Sequence, residues 1–217
     1  MTLDFSVLLP YWHLFLNGAL VTVKASLFGV LIGTAGGLFV GAFRVLPFAP
    51  LRWLAWLYIS VLRGTPLMVQ LFLIYFGLPE LGVNLDAFLA GVLGIGINSS
   101  AYVGEIVRGG IESIPRGQWE AAKVLGLSYW QSLWTIIMPQ AVRSMLPAIG
   151  NEFVALIKES SLLSVLAISD LTQAGQQVRS VTYASFESFI VVGLVYLFLT
   201  SAATGALSLL EKKWHTN

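Results

Sequence analysis

Apolar blocks occupy residues 14–43, 51–78, 88–107, 138–157 and 189–210. Each is long enough to cross the hydrocarbon core, which takes about 20 apolar residues in an α-helix. The pattern predicts an all-α membrane protein with five transmembrane helices. Between the third and fourth blocks lies EAAKVLGLSYWQSLWTIIMP, residues 120–139, whose character is different. A helix carrying Glu120 and Lys123 does not stay in hydrocarbon. Ala121, Val124, Leu125 and Ser128 nevertheless share one face at helical spacing, and that stripe calls for a docking surface.

Composition narrows the class. The chain has 217 residues, of which 57% are hydrophobic and 11% charged, against about 25% charged in soluble domains. Five spans with short connections fill residues 1–217 as a single transmembrane domain, so any ATPase or receptor part belongs to another chain. The connections after spans one, three and five carry Arg44 and Arg52, then Arg108, Arg116 and Lys123, then Lys212 and Lys213. The stretch between spans two and three has Glu80 and Asp86 and no basic residue. This bias predicts an outside N-terminus, a cytoplasmic C-terminus and a cytoplasmic 120–139 segment. The connection 158–187 is the least lipid-like and is expected to face outward or line a cavity. No Lys or Arg precedes Lys24, so the start is read as mature sequence without a cleavable signal. A net charge of +1 gives no sign of nucleic acid, and the absence of cysteine excludes disulfides and thiolate metal sites.

Gly29, Gly33, Gly37 and Gly41 recur every fourth residue in span one and predict a groove for a neighbouring helix. Embedded polar residues say more, because they face protein or a water-filled cavity. Asn98, Tyr102, Glu105 and Glu112 form one stripe on span three, and Arg63, Pro66, Gln70 and Gly77 share a face of span two. The run Arg63-Gly64-Thr65-Pro66 should break or bend that helix. In span four, Asn151 with Lys158 and Glu152 with Glu159 make adjacent stripes, followed by Ser160, Ser161 and Ser164. These groups either pair with one another, Lys158 with Glu159 for example, or line a polar pathway, and as a set they favour the pathway.

There is no G-x-x-x-x-G-K-[ST] loop, no H-E-x-x-H and no G-x-S-x-G, so ATP hydrolysis or other enzymatic chemistry by this chain is not expected. His13 and His215 lie near opposite ends and make no metal pair. Tyr11, Trp12, Trp53, Trp56 and Trp214 fit an interfacial aromatic belt.

Glu120-Ala121-Ala122, Gly126, Ile136 and Pro139 resemble the EAA loop of bacterial ABC importer permeases. Arg63-Gly64-Thr65-Pro66-Leu67 with Gln70, Asn98 to Tyr102 with Glu105, Arg108 to Ile111, Gly117-Gln118-Trp119 and Lys158 to Leu162 are similar to signature runs of the polar amino acid branch. The resemblance covers residues 18–211, with Met138 and Lys158-Glu159-Ser160 as small departures. It implies the type I importer permease fold, with residues 117–128 as a coupling helix. Glu120, Ala121, Ala122, Lys123 and Gly126 would engage a cytoplasmic ATPase that binds ATP and magnesium; this chain itself would need no cofactor. It also implies a second permease chain, identical or paralogous, an extracytoplasmic amino acid binding protein, and residence in the bacterial inner membrane.

For a polar amino acid, Glu105, Glu152 and Asp170 are candidate ammonium or guanidinium partners, and Gln70, Asn98, Tyr102, Ser160 and Ser161 candidate neutral hydrogen-bonding groups. The excess of acids over Lys158 and Arg63 favours a basic amino acid, with glutamine next. The alternative of a passive channel or secondary transporter would leave Glu120 to Gly126 without a role.

Overall fold

Along α1 (Trp12–Val45) the interior is small and the exterior is large. After Phe15, the buried side of this 34-residue helix is Gly18, Thr22, Ala25, Ser26, Gly29, Gly33, Gly37 and Gly41, whereas Leu16, Leu20, Leu27, Leu31, Leu38 and Phe39 are exposed. That inversion suits a helix whose outer face meets lipid and whose inner face meets another backbone. The partner is α4 (Ala87–Glu112). A Cβ placed at Gly33 would lie 2.6 Å from Ser99 Oγ, and one at Gly37 would lie 2.4 Å from Val103 Cβ. The fit is reciprocal, since Cβ atoms at Gly96 and Gly104 would lie 2.8 Å from Ile32 and 3.1 Å from Val40. The glycine column is thus a packing device, as its spacing predicts.

In the computed structural model, residues 3–215 are described, with side chains through Leu210 and that of Lys212. The expectations for Lys213, Trp214 and His215 lie outside the described side chains. A short 3-10 helix (Phe5–Tyr11) leads into α1. Then come α2 (Ala49–Gly64), α3 (Leu67–Phe72), α4, α5 (Arg116–Val124), α6 (Tyr129–Ser132), α7 (Met138–Glu159), α8 (Leu171–Thr182) and α9 (Ser185–His215). No strand occurs among the described residues.

The span expected over 51–78 is two helices, α2 and α3 with its extension to Leu81, bent by 104°. Pro66 is the cause, because it cannot donate to the turn before it and starts α3 in an extended conformation. The third span continues to Glu112, which places Arg108 within the helix. Three helices are long and apolar enough to cross a membrane, or four with the bent pair as one span, among the described residues. α7 has the length, at 22 residues, but its Arg143, Asn151, Glu152 and Lys158 dilute its hydrophobicity.

π turns interrupt the helices at Leu73–Gly77 and Leu133–Ile137, and the dipeptides Leu78-Pro79 and Met138-Pro139 follow them. A proline ring clashes with the carbonyl four residues earlier, here Tyr75 and Thr135. The wider turn relieves that clash, and in the second case the Met138 amide bonds the Leu133 carbonyl, five residues back.

Among the described residues, three hydrophobic clusters stack through the bundle. One joins α1, α3, α4 and α7 through Ala25, Leu71, Ile95 and Leu156. A second joins α4 to the π turn and α7 through Val103, Val107, Leu133, Ile137 and Met145. The third joins Leu8 and Phe15 to α8 and α9 through Leu171, Val178 and Val192.

Candidate functional site

The break at Arg63 to Pro66 leaves the last carbonyls of α2 without helical partners. Gln70 supplies them: its Nε2 donates to Leu62 O at 2.8 Å, Thr65 Oγ1 at 2.8 Å and Thr65 O at 3.2 Å. Asn98 on α4 donates to Gln70 Oε1 at 3.0 Å and to Leu62 O at 3.3 Å. Both amides are buried. The structure brings these two candidates together, and it directs their hydrogen bonds to the bend.

One turn further along α4, Arg63 stacks on the Tyr102 ring, 5.1 Å from its centroid, a cation–π arrangement. Arg63 is close enough to act on the charges of both Glu105 and Glu152. Glu105 accepts from Arg108 Nε at 3.0 Å, and the same guanidinium bonds Glu112. Both contacts are ion pairs, whereas Lys158 and Glu159 do not form one. The pairing follows from Arg108 standing three residues after Glu105 and four before Glu112.

Glu152 on α7 is half-buried and accepts from Ser99 Oγ at 2.9 Å, with Glu159 two turns on along the same stripe and near enough to act on it. Lys158 is exposed beside them. Glu152, Glu159, Tyr102 and Arg63 therefore share a polar zone between the bend of α2–α3 and the end of α7.

Ser160 and Asp170 lie apart from that zone. Ser160 is fully buried and donates to Ile157 O at 2.8 Å, and Ser161 is partly buried beside it. Asp170, also fully buried, caps α8 by accepting from Gln173 N at 2.8 Å and takes a longer bond, 3.4 Å, from Tyr196 OH. Burial pushes its carboxyl from the ordinary 3.8 up to about 6, against the pull of the Gln173 and Thr172 amides and the Tyr196 hydroxyl. Around it, Thr172 and Tyr196 hydroxyls stand 3.1 Å apart and Thr22 Oγ1 accepts from Leu171 N at 3.2 Å. A Cβ at Gly18 would lie 2.8 Å from Asp170 O, so the start of α8 rests directly on the backbone of α1.

The segment expected at 117–128 is the nine-residue helix α5 and its exit turn. Glu120, Ala121 and Lys123 are exposed, and Ala122 is buried against the rest of the chain. Gly126, at φ +77°, closes the helix. Its amide donates to Lys123 O at 3.0 Å and the Leu127 amide to Ala122 O at 3.1 Å, the paired bonds of a Schellman turn. Val124 and Leu125 project from this turn, 87% and 74% exposed. Ser128 then opens α6 with a capping box shared with Gln131.

One constellation here has no signature in local spacing. Trp119 stacks on Tyr129 with centroids 5.4 Å apart and planes at 19°. The Tyr129 hydroxyl donates to Val45 O, the last carbonyl of α1, at 3.0 Å. Burial raises the phenol above its ordinary 10. The aromatic residues are visible in the sequence, but the carbonyl they reach lies 84 residues away.

Residues 29–216 match the family of binding-protein-dependent transport system inner membrane components. The chain is 38% identical to the arginine transport system permease protein of Bacillus subtilis (strain 168) over 100% of both chains. It is 37% identical to the glutamine transport system permease protein of Escherichia coli (strain K12), covering 98% of each. Among solved structures, an amino acid ABC transporter with histidines superposes with a TM-score of 0.93 at 43% identity, over 98% of this chain and 100% of that one. The methionine ABC transporter in inward-facing conformations gives 0.73 at 18% identity over 92% and 97%, a likeness of fold.

Proposed function

The chain belongs to the binding-protein-dependent transport system inner membrane components, and from that premise we propose that it is the polar amino acid permease of an ATP-driven importer. It has the type I importer permease fold. As a permease subunit it is no enzyme, and ATP hydrolysis takes place on a separate ATPase. The whole chain, 1–217, acts as one permease domain of five spans, with α7 and the bent α2–α3 pair each counted as a span. The N-terminus is outside, and α5 and the C-terminus are cytoplasmic, in the bacterial inner membrane.

The observation that carries the reading is α5 itself. It presents Glu120, Ala121 and Lys123, and its Schellman turn holds Val124 and Leu125 out where a partner can cover them. An ATPase cleft fits that shape, and a second permease chain would complete the pathway. ATP binding would shift the chain between inward-open and outward-open states through different contacts in each, and an extracytoplasmic binding protein would deliver substrate.

Among the candidate acids, Glu105 is neutralised by Arg108 and Asp170 caps α8, which leaves Glu152, with Glu159 beside it, to meet a cationic side chain. A basic amino acid is therefore the favoured substrate, with Tyr102 in the same zone. Glutamine is the second reading, and the similarity to a glutamine permease favours it. The test is uptake of labelled arginine, lysine, histidine and glutamine by the chain reconstituted with its ATPase and binding protein. Glu120→Lys or Gly126→Asp should abolish uptake while insertion persists, and normal uptake in both would sink the coupling role. Glu152→Gln should reduce basic amino acid uptake about tenfold, equivalent to about 1.4 kcal/mol, and equal loss with glutamine would remove the preference.

A further inference from the structure

α1 is the helix that touches both ends of the machinery. It contains no proline from Trp12 to Val45, whereas α2–α3 is bent by 104° and α7 is preceded by a π turn and contains Pro147. From Gly18 to Val45 it runs about 40 Å at 1.5 Å per residue. Its glycines interlock with α4 at Ser99, Val103 and Val107 so closely that neither helix can slide without the other. At the inner end its terminal carbonyl, Val45 O, is held by the Tyr129 hydroxyl. At the outer end Gly18 lies against the Asp170 and Leu171 backbone, and Thr22 accepts the Leu171 amide.

We propose that Tyr129 is a positioning residue of the transport cycle: it fastens the α5–α6 segment to α1, so that displacement of that segment moves α1 and carries α8 with it. Trp119 stiffens the fastening by stacking on the Tyr129 ring and by packing into the cluster of α4 and α7. Movement imposed at Glu120 and Gly126 then reaches α8 along an unbroken helix, without crossing the polar zone of Arg63, Tyr102 and Glu152. The inference rests on the coupling role proposed for α5.

The absence of cysteine from the chain makes the test direct. Ser180→Cys places one thiol on the exposed side of α8. In the complex with its ATPase, the thiol's labelling rate by a soluble maleimide should differ at least twofold between the nucleotide-free state and the state trapped with ATP and vanadate. Tyr129→Phe, which deletes only the hydroxyl, should shrink that difference by half or more, leave the nucleotide-free rate unchanged, and lower substrate transported per ATP hydrolysed. Gly18→Ala, which forces the start of α8 away from α1, should shrink the nucleotide-dependent difference likewise. A full nucleotide response at position 180 in both variants, or none in the unsubstituted background while ATP-driven uptake is normal, overturns the role of α1 and Tyr129. Absence of ATP-driven uptake in the unsubstituted chain instead overturns the coupling reading, and this inference with it.

Discussion

Asn98 donates a hydrogen bond to Gln70 across 3.0 Å, joining the middle of α4 to the far side of the proline break. The pair holds the bend through shared carbonyls, so either truncation should strand a buried polar group. Asn98→Ala and Gln70→Ala should each cost about 1–2 kcal/mol. Because they share a bond, the double variant should cost less than the sum by roughly 0.5–1.5 kcal/mol. Chemical denaturation in detergent measures the cycle, and strict additivity would mean that the two amides support the bend separately.

Gly37 faces Val103 where a Cβ would come within 2.4 Å of a branched side chain. Gly37→Ala should destabilise the α1–α4 contact by about 1–3 kcal/mol, and Val103→Ala introduced with it should recover part of that loss. Gly109→Ala on the same partner helix meets nothing within 4 Å and is the control. Thermal unfolding followed by size exclusion separates the three.

Gly126 needs its conformation, not its space. Nothing lies within 4 Å of a Cβ placed there, yet its φ is +77°. Gly126→Ala should cost about 1–2 kcal/mol locally and speed amide exchange at Leu125 and Leu127. Gly126→Asn, which tolerates the left-handed region, should lose less. Equal exchange in both variants would refute the Schellman account.

Asp170 gives a pH dependence of unusual sign for an acid. Its folded value of about 6 lies above the ordinary 3.8, so between these values the folded chain keeps a proton that the unfolded chain has lost. Stability from this group is greatest below about pH 4, falls as pH rises through 6, and then stays level. The span is of order 2–3 kcal/mol at 1.36 kcal/mol per unit. Tyr196 is the other titratable group facing it. Asp170→Asn, still a good cap, should flatten that part of the melting curve between pH 4.5 and 7 and should be the more stable form at pH 7. The same pH slope in wild type and variant would assign the effect elsewhere.

Much of the architecture is written in local pattern. The glycine column of α1, the break before Pro66 and the helix ending at Gly126 each depend on one residue type at one spacing, and sequence preserves spacing. The polar stripes are legible only as stripes. Nothing at Glu105 says that Arg108 will claim it, except the three-residue offset within a helix. Nothing at Asp170 announces Tyr196, 26 residues away on α9, and nothing at Tyr129 announces Val45. Those partners are set by how helices cross, which depends on the sum of many contacts.

The π turn at Leu133–Ile137 also sets the angular phase of everything after it. One residue more than an α-helical turn advances each later side chain by about 100° around the axis. Glu152 meets Ser99 because that extra residue is present. Shortening the turn by a single amino acid would leave every hydrogen-bonding group of α7 in the chain and point its carboxylates elsewhere. Pro139, by requiring the wider turn, thus acts as a dial for the polar zone more than three helical turns away.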